Sequence, residues 1–253
     1  MGKGSYITQV PLTVPSCSVW LDAADSSTIT SSGGSVSNVR NKANVQNPFA
    51  QATASRQPTT GSATIGNLNA FGFDGSNDAL VATASEAINN IFANGGTAVF
   101  VANLLGMGGL SFGRLFDKTN IQVYVSGLSG STCKLNFNQV TSGTPGTWAT
   151  TSNLITLGQP FIYAVTYNAS SVGTAPKMYI NSTTEIGVSV TSVPTGSAQS
   201  DASGDLVIGN RATLDRAFDG YIAEVNFFRK VLSSEEITLI FRSLSNEYGI
   251  AIS

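Results

Sequence analysis

From residue 18 onward the chain is written in short apolar runs, most of them alternating, cut every few residues by Gly, Ser, Asn or Asp. This pattern constrains the fold more than any other feature. Successive side chains of a strand point to opposite faces, so a two-residue period buries one face, and the interrupting residues supply the turns. Segments 18–22, 97–103, 121–125, 134–138, 161–167, 177–181, 206–209 and 221–228 read as strands. In the fifth, Phe161, Tyr163, Val165 and Tyr167 share one face, and Ile162, Ala164 and Thr166 share the other.

One segment breaks the two-residue rhythm. Ser233 with Glu236 three positions on forms a capping box, and Ile237, Ile240, Phe241, Leu244 and Tyr248 recur at helical spacing before Gly249. A weaker helical turn is expected at 85–92, where Ile88, Ile91 and Phe92 could make one apolar side. No repeat or linker divides the chain; the longest loose stretch is 191–203. The expected organisation is an N-terminal extended arm, residues 1–16, and a single domain, residues 17–253. Prolines at 11 and 15 confine the arm to an edge strand or an extended docking segment.

Composition narrows the chemistry. The 253 residues include no histidine, which removes Ser-His and Cys-His nucleophile pairs, His-ligated zinc and every imidazole base. Only 11% of residues are charged, with 13 cationic and 15 anionic side chains and no run of either sign. No basic stripe exists to displace counterions from a phosphate backbone, so neither nucleic acid nor an anionic membrane is an expected partner. The N-terminal stretch lacks an apolar core and reads as non-secretory, with synthesis in the host cytoplasm. Cys17 and Cys133 are too few for a disulfide framework and read as free thiols.

The most informative string is Phe71-Gly-Phe-Asp-Gly-Ser-Asn-Asp-Ala-Leu-Val81, a strand, an Asp-Gly turn and a second strand. It resembles the signature of the concanavalin A-like lectin/glucanase superfamily, in particular its laminin G-like jelly-roll modules. Three further stretches resemble the family in the same order: Val19-Trp-Leu-Asp-Ala-Ala-Asp25, Ala54-Ser-Arg-Gln-Pro-Thr59, and Phe218-Asp-Gly-Tyr-Ile-Ala-Glu-Val-Asn-Phe-Phe228 running on to Asn246-Glu-Tyr-Gly-Ile250. The resemblance implies an all-β fold: a two-sheet antiparallel jelly-roll sandwich closed by one C-terminal α-helix. The strand pattern leads to the same class independently.

Glucanases of that superfamily carry paired acids at alternate positions of one strand, and no Glu-x-Asp-x-Glu occurs here. Asp219 and Glu224 are five apart, an odd separation that sets them on opposite faces of a regular strand. A non-enzymatic module is expected. No cofactor is expected beyond possible calcium, for which Asp74, Asn77 and Asp78 offer hard oxygen donors. The same residues are what a tight turn needs for its own backbone bonding, and the turn is the favoured reading. Trp148, next to a Pro-Gly turn, is the candidate glycan platform, but such an aromatic more often packs down as a lid on the sandwich, which is the favoured reading.

The function expected from the resemblance is a virion surface protein, a phage capsid decoration or a head or tail fibre component. Its partners would be capsid or other virion proteins, engaged through Tyr6, Ile7, Val10, Leu12 and Val14 of the arm. The alternative is an adhesin that binds a host surface glycan.

Overall fold

The computed structural model describes residues 10–253. Every strand pairing among them is antiparallel, and the pairings resolve into two layers. The back layer runs β15 (Lys177–Ile180), β14 (Pro160–Tyr167), β8 (Gly96–Gly106) and β18 (Asp219–Phe228). The far edge of β18 is shared: β1 (Cys17–Asp22) pairs with its C-terminal half and β6 (Leu68–Asp74) with its N-terminal half, and β5 (Thr59–Ile65) lies beyond β6.

The front layer begins with β2 (Ile29–Ser32), β3 (Ser35–Val39), β4 (Phe49–Ala50), β7 (Leu80–Ala82) and β17 (Leu206–Ile208). It continues through β9 (Arg114–Lys118), β10 (Ile121–Ser129), β11 (Thr132–Gln139), β12 (Gly146–Thr150) and β16 (Val188–Ser192), with β13 (Ile155–Thr156) set against β11. A single pair, Ser35 opposite Thr59, joins the layers.

Alternation decides what each strand buries. Phe161, Tyr163, Val165 and Tyr167 of β14 face the core between the layers, together with Phe100, Phe116, Phe137 and Phe227. The ring of Phe116 meets that of Phe227 edge-on at 5.0 Å, a favoured aromatic geometry. Ile162 and Ala164 of β14 point the other way, where Val99, Val101 and Ala223 join them in a second apolar layer. That second face would be wet without a cover. Helix α2 (Ser234–Tyr248) covers it with Ile237, Ile240, Phe241, Leu244 and Tyr248, each stabilising the fold by about 1.5–3 kcal/mol on burial.

Local chemistry fixes where α2 starts and stops. Ser233 Oγ accepts from the Glu236 amide at 3.3 Å, and Glu236 Oε2 accepts from the Ser233 amide at 3.0 Å. Gly249 ends the helix in the left-handed conformation, φ +66°. Residues 85–92 form successive turns rather than a helix, although Ile88, Ile91 and Phe92 are buried as one group.

The expectation of an extended arm needs correction over residues 10–16, while residues 1–9 lie outside the described residues. Val10–Thr13 is a short helical turn, α1, and not an extended arm. Val14 is buried in the layer beneath α2, and the Arg229 amide donates to the Ser16 carbonyl at 2.9 Å. An apolar residue next to an unfilled helix–sheet seam gains more by closing that seam than by staying exposed for a partner. Val14 therefore belongs to the domain. Leu12 is exposed; Tyr6 and Ile7 lie outside the described residues, as does the side chain of Val10.

Candidate functional site

A concave site opens at the end of the sandwich where β10 begins, β11 ends, and the loops 85–95, 168–176 and 193–205 meet. Its volume is about 280 Å³, near the lower limit of small-molecule sites. Asn90, Gln139, Ser170, Gln199, Ser200 and Asp201 supply the polar lining, and the methyl groups of Ala93, Ile121, Ala169 and Ala198 supply the floor.

The loops are held rigidly. Asn90 has φ +53°, a conformation that Asn tolerates better than most residues. In that pose its amide donates to Asp201 Oδ1 at 2.6 Å while its side-chain oxygen accepts from the Asp201 amide at 3.0 Å and the Ser200 hydroxyl at 3.1 Å. Beneath them Lys118, fully buried, donates to the Asp201 carbonyl at 2.8 Å and to the Gly204 carbonyl, and lies 3.4 Å from Asp201 Oδ1. Burial pushes the Lys118 ammonium down and the Asp201 carboxyl up from their ordinary values; the mutual attraction opposes both shifts. The pair is neutral as a unit, so the lining carries no net charge.

Gln139 is buried apart from the cleft it lines. Its Oε1 accepts the Tyr167 hydroxyl, and its amide NH₂, which donates to no described residue, is left for the cleft. Tyr167 is held in turn by Phe137 at 4.8 Å and Trp148 at 5.7 Å between ring centroids.

That packing removes Trp148 as a glycan platform and agrees with the favoured reading that it packs down. The indole is 1% exposed, sits in β12 between Phe137 and Tyr167, and presents no platform to solvent. It reaches the cleft only through Tyr167 and Gln139. The calcium candidates Asp74, Asn77 and Asp78 lie in the Asp74-Gly75 turn, which carries local bonding of its own. Asp74 Oδ1 accepts from the amides of Ser76 at 2.8 Å and Asn77 at 3.2 Å, and Asp78 Oδ2 accepts from the Asp74 amide at 3.0 Å. Burial and the Asp74 charge push Asp78 up to about 6. Among the described residues no three acidic or thiol groups converge as a metal site.

Asp219 and Glu224 make different side-chain contacts. Asp219 pairs across the sheet with Asp74 and lies against Gly75 and Gly106. Glu224 is buried beneath α2, where it accepts from Asn226 Nδ2 at 3.1 Å and from the Tyr248 hydroxyl at 3.1 Å. An acid and a nucleophile for glycoside cleavage must flank one bond. These two do not.

Residues 93–238 match a family model, of laminin G type, described as the concanavalin A-like lectin/glucanases superfamily. The chain belongs to that superfamily. The match takes in β8 through β18 and the start of α2, and thus every wall of the cleft except Asn90. No curated protein matches the chain in sequence.

Solved structures share the fold over most of the chain. The binding domain of Paraclostridial Mosquitocidal Protein 1 aligns with TM-score 0.62 at 13% identity, over 94% of this chain and 54% of that one. Domain 4 of AbnA, an extracellular arabinanase from Geobacillus stearothermophilus solved with arabinotriose, aligns with TM-score 0.52 at 15% identity, over 88% and 97%. Trypanosoma rangeli sialidase aligns with TM-score 0.55 at 12% identity, over 88% and 32%. At these identities the shared property is the fold. The chain spans about half of the mosquitocidal binding domain and a third of the sialidase, but nearly all of the arabinanase domain.

The cleft residues escaped the sequence reading because they arrive from five separate segments. Only one signal pointed there, the loose stretch 191–203, which becomes the Ala198–Asp201 wall.

Proposed function

We propose that the chain is a non-catalytic carbohydrate-recognition module that holds a terminal unit of a neutral glycan in the Asn90–Gln139–Asp201 cleft. The observation that carries this reading is the lining itself. Amide and hydroxyl groups suit sugar hydroxyls, which both donate and accept, and methyl groups suit the C–H face of a pyranose or furanose ring. The Gln139 side chain in the lining is already ordered by the Tyr167 hydroxyl, so contact with it costs little further side-chain ordering. The only ionisable group in the lining is Asp201, engaged by Lys118 and the Asn90 amide, whereas glycoside cleavage by the usual route takes two carboxyl groups flanking one bond. The arabinanase domain solved with arabinotriose and the toxin binding domain are relatives in fold that support a binding role.

Calorimetric titration with neutral oligosaccharides, arabinotriose among them, tests the proposal. The expected result is saturable binding that Gln199→Ala and Ser170→Ala each weaken severalfold, with no release of reducing sugar. Binding indifferent to both substitutions would overturn it.

Virion-surface display concerns where such a module would work. With Val14 committed to the core, a docking segment would be confined to residues 1–9 and the exposed Leu12. Loss of particle association on deletion of residues 1–9 supports display; retention overturns it.

A further inference from the structure

A second group of side chains converges at the opposite end of β9, away from the cleft. Arg114 is 7% exposed, and its buried Nε has no hydrogen-bond partner among the described residues. Its nearest anion is Asp117, whose Oδ2 is 3.3 Å from Nε but outside hydrogen-bond geometry. A cation this deeply buried normally has its donors engaged. Burial pushes Asp117 up to about 6, a sign that Arg114 compensates it incompletely.

The surroundings are built as a ladder. The Arg114 guanidinium lies 5.0 Å over the Tyr124 ring, Tyr124 meets Phe112 edge-on at 5.9 Å, and Arg216 lies 5.3 Å from the Phe112 centroid. Arg211, held by Asp215 through two bonds of 2.6 Å, adds its field at Arg114. Three arginines against two aspartates leave a local positive surplus in a chain of net charge −2.

The loop that presents Phe112 is pinned and strained. Gly109 donates to the Ala217 carbonyl at 2.9 Å and Gly113 to that of Met107 at 2.9 Å. Between them Leu110 and Ser111 adopt φ +51° and +61°, and Leu110 is 67% exposed. Left-handed non-glycine residues persist where their surroundings over-determine them, commonly at binding sites.

We infer that Arg114, Arg216, Tyr124 and Phe112 form a second saccharide site, selective for a carboxylated sugar of the uronic or sialic acid class. The inference rests on the reading of the chain as a carbohydrate-recognition module. A planar carboxylate matches the guanidinium geometry of Arg114 and of Arg216 beside it, and the half-exposed Phe112 ring offers an apolar face to the sugar. A polymer surface with a bare charge would need only the arginines; the aromatic pair between them favours a ring-bearing ligand.

The test is calorimetric titration with sialyllactose and trigalacturonate, alongside the methyl ester of trigalacturonate, sulfated lactose and a neutral oligosaccharide. The expected result is binding of the two carboxylated sugars but not of the ester. Arg216→Gln should weaken that binding at least tenfold and leave neutral binding in the cleft unchanged. Phe112→Ala, at an exposed position, provides a second variant if Arg114→Gln fails to fold. Neutral binding without acidic binding, acidic binding indifferent to Arg216→Gln and Phe112→Ala, or binding of sulfated lactose alone would each overturn the inference and leave the cleft proposal standing. Failure of every sugar to bind would remove both.

Discussion

The Tyr248 hydroxyl donates to Glu224 Oε2 at 3.1 Å in the seam between α2 and the back layer. Burial, then the Asp22 charge, pushes the Glu224 carboxyl up to about 8. The unfolded chain loses this proton near pH 4.5 and the folded chain near 8, so the folded state binds more protons between those values. Stability from this group therefore falls as pH rises from about 4.5 to about 8, then levels. Glu224→Gln keeps the shape without the charge; it should raise stability at pH 9 by up to several kcal/mol, shrinking to little at pH 4. Urea midpoints at the two pH values check this. An equal effect at both would mean the carboxyl is ionised throughout.

Gly66 and Gly33 share a left-handed backbone, φ +61° and +58°, but differ in space. A Cβ at Gly66 would lie 2.2 Å from the Tyr248 carbonyl oxygen, whereas nothing lies within 4 Å of one at Gly33. Gly33→Ala should cost about 1 kcal/mol from backbone strain alone. Gly66→Ala should cost roughly 3 kcal/mol or more, because the end of α2 must move. Equal melting temperatures for the two variants would show that α2 does not dock here.

Trp148 fills the core behind the cleft, with its indole N–H unpartnered. Trp148→Ala should cost about 3–5 kcal/mol. Trp148→Phe removes an unsatisfied donor together with some volume, and should cost about 1 kcal/mol while retaining sugar binding. Intact stability with abolished binding in Trp148→Ala would instead make the residue a ligand contact.

The elements that rest on local rules were legible before the structure. The Ser233–Glu236 capping box, the Gly249 stop and the two faces of 161–167 each depend on neighbours within a few residues. The four-part resemblance gave the architecture for the same reason, because its turns are local. Val14 was harder: its surroundings are set by α2, far away in sequence, and periodicity says nothing about which distant surface closes over an apolar residue. The cleft was least legible. Lys118 and Asp201 look like ordinary surface charges in the sequence, and only the docking of the 193–205 loop onto β9 turns them into a buried neutral pair.

The central claim is that the neutral cleft receives the sugar, and mapping a bound neutral oligosaccharide by backbone and side-chain amide NMR shifts tests it most directly. The account predicts the largest saturable changes at Asn90, Gln139, Ala169 and Gln199, with those at Phe112 and Tyr124 unmoved. Changes centred on any other surface, with the Asn90 and Gln139 signals static at saturation, would contradict it.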